Sequence, residues 1–182
     1  INTGMKVSSA KDSGAIFAIA TSQRANAASQ DAVRAGLQRS QSITDVALAA
    51  GDTITAALEE MKSLAVSIAG TTAGSAAETS YLAEYNALGL EITSAISGAS
   101  FDGVNSLTTP LGVAGVTDVS GGGKARADAT TAKVDTAIST VTAALSTLGT
   151  QSKSLGRQIS FVNKLQDALE AGVGNLVDAD LA

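Results

Sequence analysis

Few residues of this chain have the types and spacing that catalysis or metal binding requires. Ser8 and Lys11 form an S-x-x-K motif, the nucleophile signature of serine β-lactamases. No S-D-N or K-T-G motif follows, and a serine-rich chain produces S-x-x-K by chance. The sequence contains neither cysteine nor histidine, which excludes thiol nucleophiles, disulfides, thiolate metal sites and imidazole bases. We therefore interpret this motif as part of a polar entry segment.

Three further groups of residues are better explained as surface or turn chemistry. The sequence from Gly121 to Lys124 lacks the G-x-x-x-x-G-K-[ST] spacing of a phosphate loop and predicts a flexible turn. Asp178 and Asp180 are two residues apart and have no calcium loop around them. The adjacent Glu59-Glu60 pair diverges on a helix and indicates a solvated face. We predict no catalytic, cofactor-binding or metal-ligating residue, no enzyme activity and no cofactor, so the function must lie in the surfaces.

Charge and composition exclude two classes of partner and favour a helical protein. The net charge is −5, and the basic residues are scattered singly, which argues against nucleic acid as a partner. No apolar run reaches the roughly 18 residues that a membrane span needs, so no membrane is expected. Hydrophobic residues make up 45% of the chain but aromatics only 3%, so alanine and aliphatic side chains must supply the buried surface. Helices packed along their length can use alanine in this way.

An apolar seam repeats through the first part of the chain in alternating steps of four and three residues. This spacing places its members along one side of a long helix, as in a coiled coil. No proline or cluster of breakers lies between Asp12 and Ala69, so we expect one helix there. Gly36 and Gly51 are where it would break, since interior glycine costs about 1 kcal/mol relative to alanine. The seam members that we assign to helix packing are Val33, Leu37, Ile54, Leu58, Met61 and Ile68.

A shorter helix and an irregular insert are expected next. Ser75 follows a glycine-containing loop and can cap a second helix from Ala76 to about Ser97. The insert at 98–127 contains Pro110, several glycines and the turn dipeptide Asp102-Gly103. Its valines and leucines are compatible with short strands, so this is where we expect a small β-hairpin.

The seam spacing returns at residue 128 and predicts a second long helix, antiparallel to the first. The fold class is therefore mainly α, an elongated, rod-like antiparallel bundle of two long helices and one shorter helix with a small β or irregular insert. We divide it into an N-terminal helical part at 1–97, the insert at 98–127 and a C-terminal helical part at 128–182. The seam members of the last helix are Val134, Ile138, Val141, Leu145, Leu148, Leu155, Ile159 and Val162.

Four motifs, in order, make the sequence resemble the bacterial flagellins. The segment from Met5 to Ala20 (MKVSSAKDSGAIFAIA) resembles their N-terminal pattern, and Lys62 to Val66 resembles the R-x-L-A-V segment of their long helix. Phe101-Asp102-Gly103 resembles F-N-G, and Leu176 to Ala182 resembles I-E-D-A-D-Y-A. The resemblance covers essentially everything outside about 104–127 and is closest to short flagellins of the Caulobacter kind.

This resemblance implies a structural subunit of the bacterial flagellar filament. Flagellins are secreted and self-assemble helically into an extracellular filament for swimming motility. The chain resembles their D1 core and starts and stops where the terminal D0 segments would join it. The implied partners are other flagellin subunits, in a homo- or hetero-polymer, together with an export chaperone and the filament cap.

The resemblance also bears on an innate immune receptor. Some flagellins activate Toll-like receptor 5 (TLR5) through an Arg and a Leu on the first helix and a Glu on the second. The matching positions here are Glu60, Leu64 and Glu84. Glu60 reverses the charge of that Arg, which removes an attraction and adds a repulsion. We predict weak or no TLR5 activation.

Two other readings of the sequence remain open. A hook–filament junction protein shares flagellin-like ends and belongs to the same machinery. A helical signalling hairpin of the chemoreceptor type would explain long helices, but it requires two equal arms joined by a tight turn. The short insert and the match from S-A-K-D to D-A-D favour flagellin over the junction protein. Three unequal helices and a glycine-rich insert favour it over the hairpin.

Overall fold

The computed structural model describes residue 11 and residues 13–107, 113–117 and 123–177. It confirms the mainly α class, with two long helices, one shorter helix and a small β element. The elements are α1 (Gly14–Ala69), α2 (Ala76–Gly98), β1 (Ser100–Phe101), β2 (Val104–Asn105), a 3₁₀ turn (Val113–Gly115) and α3 (Thr131–Val177).

The first helix continues through both of its interior glycines. Ser13 stands before its first turn, where the Ile16 amide donates to the Ser13 hydroxyl at 3.4 Å. A Cβ at Gly36 would meet nothing within 4 Å, whereas one at Gly51 would lie 2.2 Å from the Leu145 Cδ2. The Leu145 side chain therefore fills the space beside Gly51 and would have to shift for a larger residue, and this packing offsets the low helix propensity of glycine.

A short connection leads from α1 into α2. Gly74 has a φ of +79°, and the next residue, Ser75, is the N-cap of α2. Its hydroxyl accepts a hydrogen bond from the Glu78 amide at 3.2 Å, as the sequence predicts. Glu78 adds a negative charge in the first turn, where the helix dipole favours it.

The expected hairpin is present and very short. β1 and β2 pair antiparallel, with Ser100 opposite Asn105 and Phe101 opposite Val104. Asp102 and Gly103 form the two-residue turn with φ angles of 51° and 77°, which suits a type I′ hairpin turn. Val113, another candidate strand residue, belongs to the 3₁₀ turn and does not extend the hairpin. The candidates Leu111 and Val119 lie outside the described residues.

The described residues fall into two compact units, each of which combines parts of α1 and α3. Unit 2 (42–152) holds α2, the hairpin and the large apolar core. Within this unit, Gly51 faces Leu145, and Lys62 forms an ion pair with Asp135 at 2.7 Å. Since partner numbers fall along α3 as they rise along α1, the two helices are antiparallel here.

Unit 1 (1–41 and 153–182) contains the other parts of α1 and α3. The helices are antiparallel there too, because Ala20 packs with Val173 whereas the later Arg34 contacts the earlier Gln166. Its apolar cluster is small and consists of Ala20, Val173 and Val177 with half-buried neighbours. Polar side chains also join the two helices in this unit. Arg34 donates to the Gln166 Oε1 at 2.5 Å, and Gln166 donates to Asp31 at 2.8 Å.

Candidate functional site

The three residues that the sequence resemblance assigns to a receptor-contact patch lie on two helices of unit 2. Glu60 and Glu84 are exposed, on α1 and α2 respectively. Leu64 is half-buried and packs against the core from α1. Glu60 and Leu64 are four residues apart and share one side of α1. The position matching the receptor-contact Arg therefore carries an accessible negative charge.

The seam residues of unit 2 line its interior. Ile138 and Leu145 are half-buried against the same core. One continuous apolar cluster therefore joins α1 and α3 in unit 2. The buried members are Ile54, Leu58, Met61, Ile68, Val134, Val141 and Leu148.

The seam residues of unit 1 are less enclosed, and one of them differs from the prediction. Val162 is buried, and Leu37, Leu155 and Ile159 are half-buried. Val33 is 47% exposed, so its assignment to the packed interior is wrong. A strict seven-residue repeat drifts by about 20° per heptad around a straight helix, so Val33, three heptads before Ile54, is rotated by about 60°.

Arg126 ties the loop before α3 to the α1–α2 connection in unit 2. Its guanidinium donates to the Glu78 carboxylate at 2.6 Å, to the Thr71 hydroxyl at 3.0 Å and to the Ala69 carbonyl at 3.3 Å. It therefore caps the C-terminus of α1 and pairs with the first turn of α2 at once. Sequence reasoning missed this role; the only signal was a single arginine in the glycine-rich insert.

Two hydrogen bonds between a side chain of α2 and the backbone of the insert hold the insert against α2. The Asn86 side chain donates to the Lys124 carbonyl at 3.1 Å and accepts from the Lys124 amide at 2.6 Å. Gly123 has a φ of +76°, and a Cβ there would lie 2.9 Å from the Asn86 Nδ2. The glycine run that superficially resembles a phosphate loop thus serves, at Gly123, to bring the backbone close to an asparagine amide.

Tyr85 is a core residue with an unusual environment. It is fully buried in unit 2, and its hydroxyl has no hydrogen-bond partner among the described residues. Burial, and secondarily the charge of Asp128, raise the pKa of Tyr85 to about 12. Asp128 itself is paired with Lys133, whose hydrogen bond and charge lower the pKa of that carboxyl.

Several large apolar side chains stand exposed on the helices. Val66 on α1 is 59% exposed, Leu90 on α2 is 58% exposed and Phe161 on α3 is 65% exposed. In unit 2, a shallow hollow lies between α1 and α2, lined by Val46, Leu90, Glu91 and small residues. Phe161 stands among basic side chains in unit 1. These surfaces have the composition of protein contacts and lack the enclosed polar groups of a catalytic pocket.

The described residues add two findings on function. They contain no group of three or more His, Cys, Asp or Glu residues that could hold a metal ion. None of the helices in these ranges combines the length and apolar character needed to cross a bilayer. The S-x-x-K serine, most of the glycine run and the acidic pair Asp178 and Asp180 lie outside the described residues.

Comparison with known proteins agrees with the helical architecture. The bacterial flagellin N-terminal helical region matches residues 1–109, and the bacterial flagellin C-terminal helical region matches residues 131–182. Flagellin FljM of Caulobacter vibrioides is 44% identical over 206 aligned residues, which cover 100% of this chain and 76% of the relative. Flagellin FljK of the same bacterium is 43% identical with the same coverage. A flagellin of Brucella melitensis is 31% identical over 221 residues and is likewise covered to 76%. The chain belongs to the bacterial flagellin family.

Proposed function

We propose that this protein is a structural subunit of the bacterial flagellar filament, exported and assembled outside the cell. The observation that carries the proposal is that both flagellin regions are present and form the two long helices. The exposed apolar and charged side chains on these helices supply surfaces for subunit contacts. The protein therefore polymerises with other flagellin subunits.

The alternatives identified from the sequence have less support. A hook–filament junction protein is not favoured, because the matched relatives are flagellins. A chemoreceptor-type hairpin requires two equal arms, whereas α1, α2 and α3 have 56, 23 and 47 residues. The flagellin family is structural, and we extend this to the absence of any catalytic activity in this chain.

The function is tested by complementing a strain that lacks its own flagellin genes. The complete gene product should restore swimming and produce filaments visible by electron microscopy. The Gly51→Leu variant should fail, because a side chain at this position collides with Leu145. Cells with normal hooks but no filaments, despite secretion of the protein, would contradict the proposal.

Three finer assignments belong to the same proposal. The described region is the D1 core of the subunit, and before assembly the protein interacts with an export chaperone and with the filament cap. Its activation of TLR5 is weak or absent, since the accessible Glu60 carries the opposite charge to the Arg implied by the resemblance. Leu64 and Glu84 are the residue types that the resemblance implies at the other two positions. The charge of Glu60 is therefore the main difference from flagellins that activate the receptor.

The receptor assignment is tested with reporter cells and purified monomer. Glu60→Arg should raise the potency of the protein by about tenfold or more, because it exchanges a repulsion for an attraction. Glu59→Arg makes the same charge change one residue away, on a different side of α1, and should raise potency much less. A parent protein already as potent as a strong activator would contradict the assignment.

A further inference from the structure

A basic face on α3 stands out in a chain of net charge −5. Arg157, Phe161 and Lys164 follow one another at steps of four and three residues, so they lie on one side of the helix. Lys153 extends the same row by one turn. All four side chains are exposed, and Phe161 is 65% exposed at the centre of the row. An aromatic ring surrounded by cations has the composition of an interface centre.

The cations of this face have no intramolecular counter-charge among the described residues. Ion pairs elsewhere in the described residues join Asp31 to Arg34, Lys62 to Asp135, Glu78 to Arg126 and Asp128 to Lys133, and none of them includes a cation of this face. A partner for the basic face must therefore bring carboxylates and a small apolar surface that can accept the phenyl ring.

The outer side of α1 in unit 2 offers this chemistry. Asp52, Ala56 and Glu59 follow one another at steps of four and three residues, and all three are exposed. Neither carboxylate takes part in any of the ion pairs above. Asp52 and Glu59 are seven residues apart, or about 10.5 Å along a helix at about 1.5 Å per residue. Arg157 and Lys164 have the same separation on α3.

We propose that the basic face of one subunit docks on this acidic face of a second copy in the filament, with Arg157 against Glu59 and Lys164 against Asp52. Phe161 then lies within about one residue of Ala56, whose methyl group leaves room for the ring. The proposal rests on the proposed function, since it names the partner and the surface for polymerisation.

The symmetry of a filament fits this arrangement. Copies in a helical polymer point the same way along its axis, and the interface is heterologous, with different faces meeting. Within each unit α3 runs antiparallel to α1. The α3 helix of one copy therefore meets the α1 helix of another antiparallel. In an antiparallel pair of helices, residue numbers rise along one helix as they fall along the other. Arg157 can therefore lie opposite Glu59 while Lys164 lies opposite Asp52.

Charge exchange in the complete polypeptide tests the pairing. The Arg157→Glu/Lys164→Glu variant and the Asp52→Lys/Glu59→Lys variant should each raise the concentration needed for polymerisation on filament seeds by about tenfold, because like charges then meet. The protein carrying all four substitutions should return to within about threefold of the parent, since its charges are complementary again. Higher salt should reduce the differences, as expected for exposed charges.

Asp167→Lys/Glu170→Lys is the matched control, because it reverses two exposed carboxylates that lie outside both faces. It should polymerise within about twofold of the parent. Circular dichroism should give equal helix content for all variants, since every substituted side chain is exposed. Phe161→Ala should also weaken polymerisation, by loss of the apolar contact.

Two results would overturn the docking. One is normal polymerisation of both paired variants; the other is failure of the fourfold exchange to restore what each pair loses. Normal polymerisation with poor secretion of Arg157→Glu/Lys164→Glu would assign the basic face to an acidic export factor instead. These results are distinguishable from failure of the proposed function, in which the parent protein itself would not polymerise.

Discussion

The two units of this protein join the same pair of helices by different means. In unit 2, α1 and α3 meet through fully buried aliphatic side chains such as Ile54 and Val134. In unit 1, a large part of the described contact is polar and passes through Arg34, Asp31 and Gln166. Apolar burial stabilises a fold but depends little on the orientation of the side chains. A hydrogen-bonded network, in contrast, fixes which residues must lie opposite each other. The comparison indicates that stability resides in unit 2 and that register in unit 1 is set by polar pairing.

The largest expected effect is a cavity in unit 2. Leu58→Ala removes a fully buried side chain and should lower the free energy of unfolding by about 2–5 kcal/mol. Urea denaturation followed by circular dichroism measures it. Leu90→Ala, at a position 58% exposed, is the control and should cost less than about 1 kcal/mol. Equal losses from both variants would contradict the burial of Leu58 in the core of unit 2.

Alkaline pH should act on the same core through Tyr85. Burial raises the pKa of Tyr85 from the ordinary value of 10.0 to about 12 in the folded protein. The stabilisation by the neutral hydroxyl is thus complete below pH 10 and is lost as the pH rises through 12, by about 2–3 kcal/mol in total. Tyr85→Phe should remove this part of the pH dependence and cost little at pH 7, because the hydroxyl has no partner among the described residues. Identical pH profiles for parent and variant between pH 9 and 12 would count against the buried position.

A pair of glycine substitutions separates close packing from helix propensity. Gly51→Ala places a Cβ against Leu145, which must shift, so we expect a loss of about 1–2 kcal/mol despite the better helix former. Gly36→Ala, in unit 1, meets nothing within 4 Å and should stabilise by about 0.5–1 kcal/mol. Thermal melts of the two variants should move in opposite directions; a gain from both would mean that the Leu145 side chain shifts at little cost.

The smallest expected effect is in the polar network of unit 1. Gln166→Met keeps the side-chain volume but removes the hydrogen bonds with Asp31 and Arg34, which should cost about 1 kcal/mol. Hydrogen exchange should quicken in the described parts of unit 1 and not in unit 2. Glu170→Met, an exposed neighbour on α3, is the matched control. A loss spread evenly over both units would mean that the network does not act locally.

The same contrast explains what the sequence could predict. The long helices, the Ser75 cap and the Asp102-Gly103 turn each follow from local rules of periodicity, capping and backbone conformation. The apolar seam extends correctly where side chains are buried, but it overextends to Val33, because the seven-residue repeat drifts around a straight helix. Arg126 and Asn86 act through backbone atoms 38 to 57 residues away, and no local pattern reports such contacts.

The polar network of unit 1 was missed for a related reason. Arg34 and Gln166 are 132 positions apart in the chain, and each alone is an ordinary polar residue on a helix. Gln166 is buried where the two helices meet. The surface positions matching the receptor patch came from resemblance, and the structure adds which of them a partner can reach.

The antiparallel course of α1 and α3 has a consequence for the order of folding. Arg34 and Asn163 are 129 positions apart, whereas Asp45 and Ser152 are 107 apart and Lys62 and Asp135 are nearer still. Closing the longest loop first carries the largest entropic penalty, while each inner contact shortens the loop that the next must close. Folding should therefore start beside the α1–α2 connection and zip outward, and unit 1 should form last. A nascent chain lacking the end of α3 would leave the start of α1 without its partner helix.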